Sequence, residues 1–154
     1  MQSRRKSREF LLQSLYARSS QRNVFDRETF IENYFSEENH IDLDIAFVDR
    51  AEWALIDREK ELLTIIDALA PKFDLATMPL LHILILMIAL TEILYVSDLE
   101  IPESVSVNEA IELAKKFSDD QWRIFINGAL STFLKQKETI VAIQKEVSFR
   151  VFSE

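Results

Sequence analysis

One glycine in 154 residues leaves this chain almost no material for tight turns. The common hairpin turns need residues at positive φ, which glycine supplies without steric cost. Three prolines add little further punctuation. A sheet protein of this length would need several such turns. The pattern therefore predicts an all-α fold, a compact helical bundle of about seven helices with short connections. Residues 1–154 read as a single domain, long enough to bury a real core. The lone Gly128 falls inside an apolar-periodic helical pattern, where it costs about 1 kcal/mol relative to Ala. The expectation is that Asn127-Gly128 marks a close helix–helix crossing.

Cap residues divide the chain. Ser3 or Ser7 opens a first helix to about residue 18, with Phe10, Leu11 and Leu15 on its apolar face. Asp26 opens a second helix, and Asp42 or Asp44 a third. Asp57 restarts the pattern as a fourth, which Pro71 ends. Pro79 suits the first turn of a fifth helix, whose residues 80–96 are apolar except for His82, Thr91 and Glu92. Seventeen residues are marginal for a bilayer, so this segment reads as the buried centre of a bundle. Asp98 to Pro102 form a connector. Two capping boxes, Ser106 with Glu109 and Ser118 with Gln121, open the last two helices. The final helix is expected to continue past Lys135 into an extended tail over 135–154.

Charge is unevenly distributed. Residues 1–22 carry a net +5, residues 23–112 a net −15, and residues 113–154 a net +2. The whole molecule should not bind polyanions indiscriminately, but a basic N-terminus on an acidic body can bind nucleic acid locally. No cysteine means no disulfide framework and no thiolate chemistry. The basic start is followed by no long apolar stretch, so a signal peptide is not expected and a cytoplasmic location is.

Catalytic patterns are missing. One glycine excludes the P-loop and the dinucleotide fingerprint. No nucleophile elbow occurs. His40 and His82 have no His or Cys partner at helical spacing, so no metal site is expected. The chain reads as a binding protein without a cofactor rather than an enzyme. The electrostatic candidate is the segment SRRKSRE, with Arg4, Arg5, Lys6 and Arg8. Arginine offers bidentate contacts to phosphate. Tyr16, Phe125 and Trp122 are candidate stacking platforms for single-stranded bases.

Two separated strings carry a family resemblance. The opening RRKSREFLLQSLY and the later VNEAIELAKKF and FINGAL resemble, in order and spacing, the N-terminal helix and C-terminal half of the NusB family of bacterial transcription antitermination factors. The resemblance covers roughly residues 1–20 and 78–134. It implies an all-helical fold and binding of boxA-like single-stranded RNA jointly with a small-subunit ribosomal protein, also called NusE. It further implies action within the transcription elongation complex. The family's RNA-binding positions fall on Arg4, Arg5, Lys6, Arg8, Tyr16 and Phe125. His82 stands where the family often places an acidic residue that helps hold the ribosomal partner, and Glu92 joins it as a candidate partner-binding residue. Met87 replaces the family's usual central arginine, and Ile124 a lysine. Two other readings stand beside this one: a protein–protein adaptor on the same fold with weak or lost RNA binding, and the NusB-like module fused to RNA methyltransferases. The chain has neither the length nor the glycine-rich loop for the methyltransferase. Self-association as a homodimer is left open.

Overall fold

The computed structural model describes residues 3–37, 42–96 and 101–153. Among the described residues eight α-helices follow in order: α1 Arg4–Gln21, α2 Arg27–Glu37, α3 Ile45–Asp57, α4 Glu59–Leu69, α5 Leu80–Tyr95, α6 Glu103–Phe117, α7 Asp120–Lys135 and the short α8 Lys137–Val141. Among the described residues the only extended pairing is a single bridge between Ser3 and Leu43. His40 and Asp98 lie outside the described residues.

α5 is the hub, because a helix that is apolar on every side is stable only when other helices cover it. It packs against α1, α3, α4, α6 and α7. Every residue from His82 to Glu92 is buried. No helix among the described residues is long and apolar enough to cross a membrane. Phe10, Leu11, Leu15, Phe47, Leu55, Leu62, Ile66, Ala114, Ile126 and Phe133 complete one continuous core.

Local chemistry sets the helix starts. The Ser3 hydroxyl accepts the Lys6 N–H at 3.1 Å, and Asp44 accepts the Phe47 N–H at 3.1 Å. Asp26 accepts the Glu28 N–H at 3.1 Å. Pro79 and Pro102 sit at the N-caps of α5 and α6, where a missing N–H costs nothing. The break between α3 and α4 falls at Arg58, one residue after the expected restart at Asp57.

Several expectations are corrected. α1 runs to Gln21 rather than about residue 18. α6 begins at Glu103, three residues before the expected capping box, so Ser106 lies inside the helix and is buried. α7 is capped by Asp119, which accepts the Trp122 N–H at 3.0 Å, not by Ser118. α7 also stops at Lys135. After α8 the chain runs from Ala142 to Ser153 without helix or strand, and Val147 and Val151 are buried in the core.

Gly128 is not at a crossing. It lies on the exposed face of α7, and a Cβ built there would meet nothing within 4 Å. α7 turns Ile126, Ala129, Leu130 and Phe133 inward instead. The buried alanines of the α6–α7 pair are Ala110, Ala114 and Ala129. Alanine is small enough for close packing and keeps its helix propensity.

Candidate nucleic-acid interface

The basic start of α1 reaches the surface only in part. Arg4 donates from Nε to Asp44 at 2.7 Å, and its guanidinium lies 4.6 Å from the Phe47 ring centre. Burial opposes the charge on Asp44. Hydrogen bonds from Arg4 and the Phe47 N–H, with the charges of Arg4 and Arg50, nonetheless hold its carboxyl below the usual range. Arg5 makes two bonds to Glu109, each 3.1 Å, with its side chain 58% exposed.

Arg8 turns the other way. Its side chain is 4% exposed, and Nε and Nη2 donate to the two Glu92 oxygens at 2.8 and 2.7 Å. The Ser106 hydroxyl donates to the same carboxylate at 3.2 Å. This bidentate pair ties α1, α5 and α6 together inside the protein. Arg8 and Glu92, expected to contact RNA and a protein partner, are thus both buried in this pair and offer almost no accessible surface here. Arg4 and Arg8 do share a helix face, as i, i+4 spacing requires. That face meets the Phe47 ring, 5.3 Å from the Arg8 guanidinium, and only its Arg4 end reaches solvent.

The exposed cations come from two helices. Lys6 approaches Glu9 at 3.5 Å, and Lys116 of α6 bonds the same carboxylate at 3.0 Å. Lys115 pairs with Glu112 at 3.3 Å. Arg5, Glu9, Glu109, Lys115 and Lys116 line an open hollow of about 280 Å³. Four cations against Glu9, Glu109 and Glu112 leave this rim with only a small positive excess. Sequence reasoning missed Lys115 and Lys116, although their place in the last turn of α6 favours cations.

An aromatic cluster adjoins the rim at the α6–α7 corner. The Lys116 amine lies 5.6 Å from the Phe117 ring centre, and the next residue, Ser118, contacts His82 Nε2 at 2.5 Å. His82 stacks on Trp122 with centroids 4.2 Å apart and planes 10° from parallel. Phe125 meets Trp122 edge-on at 5.4 Å, and Phe73 meets Phe125 at 5.4 Å. Phe73 is 39% exposed and the neighbouring Ile124 63%. Phe73 lies on the loop after Pro71, where no periodicity marks it.

His82 is buried, and its Nδ1 has no hydrogen-bond partner among the described residues. Burial pushes its pKa below the ordinary histidine value, with the Asp119 charge pulling the other way. His82 thus supports Trp122 from beneath rather than offering its own ring.

Tyr16 stands apart from this cluster. It is 46% exposed on α1 and joins none of these rings. Eleven residues after Arg5, it returns to within about 20° of the same helix face and sits about 16 Å further along the axis. Of the sequence-assigned residues, Arg4, Arg5, Lys6, Tyr16 and Phe125 keep accessible surface, with Arg4 paired to Asp44 and Arg5 to Glu109. No cluster of potential metal ligands occurs among the described residues.

The NusB family model matches residues 5–135. The chain is 36% identical over 138 residues to the transcription antitermination protein NusB of Clostridium perfringens, covering 86% of this chain and 97% of that protein. It is 34% identical over 136 residues to the Finegoldia magna protein of the same name, covering 88% and 96%. With the protein of that name from Thermodesulfovibrio yellowstonii it shares 34% identity over 145 residues, covering 87% and 93%. A family match across most of the helices, and relatives above 30% identity aligned over nearly their whole length, lead to one conclusion: this chain belongs to the NusB family.

Proposed function

We propose that this chain is a transcription antitermination factor that binds boxA-like single-stranded RNA together with the small-subunit ribosomal protein, NusE. It acts by binding, within the transcription elongation complex. The observation that carries the reading is an exposed cationic rim at the end of α6 followed, across the α6–α7 corner, by a partly exposed aromatic cluster. Cations hold the phosphates, and a ring gives a base a face to stack on. Phosphate contacts fall to Arg5, Lys6, Lys115 and Lys116, and stacking to Tyr16 or to Phe125 and Trp122. The names borne by the relatives support the same reading.

Each rim cation already has a carboxylate nearby, so the RNA must compete with Glu9, Glu109 and Glu112. Few net phosphate contacts give weak binding and a shallow salt dependence, about 0.7 in log–log slope per contact. The ribosomal partner then completes the site, against the partly exposed rings of Phe73, Trp122 and Phe125. The test is titration of a boxA-like RNA with and without the ribosomal partner over a salt series. Tighter binding with the partner supports the proposal. Equal affinity for the wild type and for a variant with all four rim cations changed to Ala would refute the RNA site. The intramolecular neutralisation of the rim would then favour the adaptor reading.

A further inference from the structure

The segment from Ala142 to Ser153 lies beyond the family match, which ends at residue 135. It is nevertheless docked. Val147 and Val151 are buried, and Phe149 and Phe152 pack on the core beside them. Glu59, 5% exposed in the first turn of α4, holds its end. One carboxylate oxygen accepts the Val151 N–H at 2.5 Å and the Phe152 N–H at 2.7 Å. The other accepts the Ser153 hydroxyl at 2.8 Å and its N–H at 3.4 Å. From α1, the Ser19 hydroxyl donates to the Val151 carbonyl at 3.0 Å.

The attachment differs in kind from that of the helices. No backbone-to-backbone hydrogen bond ties residues 144–153 to the helices among the described residues. Side chains do this instead: Glu59, Ser19 and Thr64, with Lys145 on Asp67 and Lys60 on Glu146 at the exposed end. Two buried valines anchor a stretch of twelve residues, whereas α5 buries eleven of its sixteen. Space is left open at both ends. A hollow of about 470 Å³ is lined by Ile143–Glu146 together with Lys60, Thr64 and Tyr95. Another of about 370 Å³ lies between Phe152–Ser153 and Arg18, Arg22 and Ile56. Segments with few buried contacts and no ladder to the body open at lower free energy than the core.

We propose that residues 142–153 form a releasable strap that leaves its groove along α4 as a unit while the helices stay folded, with the Glu59 carboxylate as its latch. The strap is the groove's own occupant, supplied in cis. Its release uncovers the core surface beneath Val147 and Val151 and leaves the Glu59 carboxylate bare. The latch is sensitive to chemistry rather than size. In Glu59→Gln one acceptor oxygen becomes an NH2 group facing backbone N–H donors, with volume unchanged.

The test is native-state hydrogen exchange on the full chain, comparing the Val151 and Phe152 amides with those of residues 83–89 in α5. In the wild type the strap amides should exchange at least tenfold faster than α5 but slower than free peptide. Glu59→Gln should speed the strap by a further tenfold or more and leave α5 unchanged. Ser153→Ala, which removes one latch bond at an exposed position, should give a smaller acceleration confined to the strap, and it decides the matter if Glu59→Gln does not fold. Equal protection of strap and α5, or a loss shared equally by both in the variants, would overturn the proposal, because the segment would then leave only with the whole fold. Free-peptide rates in the wild type would overturn it as well.

Discussion

Arg8→Met removes one half of the buried pair that joins α1 to α5. The two guanidinium–carboxylate bonds are 2.8 and 2.7 Å long, and the side chains are 4% and 3% exposed. Charge centres about 4 Å apart attract by about 4 kcal/mol at an effective dielectric of about 20. Desolvation of the two ions offsets much of this, so the intact pair contributes little net stability. Removing Arg8 alone is different. Glu92 is then left charged and buried, with Ser106 as its remaining donor. Such broken pairs cost about 3–5 kcal/mol, a large share of the roughly 5–15 kcal/mol that holds a domain folded. Urea denaturation should therefore show Arg8→Met strongly destabilised with an unchanged m-value. The double variant Arg8→Met, Glu92→Leu should regain most of the loss, since neither charge remains buried. A single-variant cost below about 1 kcal/mol, or a double variant no better than the single, would refute the assignment of Arg8 to the core. Arg8 would then have to be accessible, as a ligand for RNA must be.

Gly128→Ala should stabilise the protein by about 0.4–1 kcal/mol, read as a higher denaturation midpoint, because the added Cβ meets open space and the unfolded chain loses freedom; a lower midpoint would show a contact at this site. Because burial lowers the folded pKa of His82 below its unfolded value of 6.5, the folded state favours the neutral ring. Its contribution is complete above the unfolded pKa and is lost as pH falls from there toward the folded pKa. The stability difference between wild type and His82→Asn should accordingly shrink in pH-dependent denaturation between pH 7 and 5, and a constant difference would contradict the sign. In the complex with RNA and the ribosomal partner, Phe125→Ala or Tyr16→Ala should weaken binding by about 1–3 kcal/mol with little change in salt slope, if that ring carries a base. Lys115→Ala with Lys116→Ala should flatten the slope. A steeper slope in the lysine variant would contradict their role as phosphate contacts.

What could be read along the chain was set by short-range physics. A carboxylate or hydroxyl before an apolar run can satisfy only the N–H groups within the next turn, which is why Ser3, Asp26 and Asp44 were legible as caps. The scarcity of glycine dictated helices, and an all-apolar segment over 80–96 had to be central because no smaller surface could cover it. The two separated strings likewise carried enough order and spacing to indicate the family before any coordinates. The charged residues were not legible in this way. Arg5 finds Glu109 at a separation of 104 residues, and Arg8 finds Glu92 at 84. Whether an arginine faces RNA or a buried carboxylate depends on which helices the core brings together. Gly128 was misread for the same reason. Helical periodicity says that a residue lies near one face or another, but only packing decides which face is covered, and here Ala129 turns inward while Gly128 turns out. The strap depends most on tertiary structure. The alternation of Val147, Phe149 and Val151 with Ser148 and Arg150 hints at one buried face, but not at what covers it. Their burial exists only because α1 and α4, more than 80 residues earlier, place Ser19 and Glu59 where the returning chain can use them.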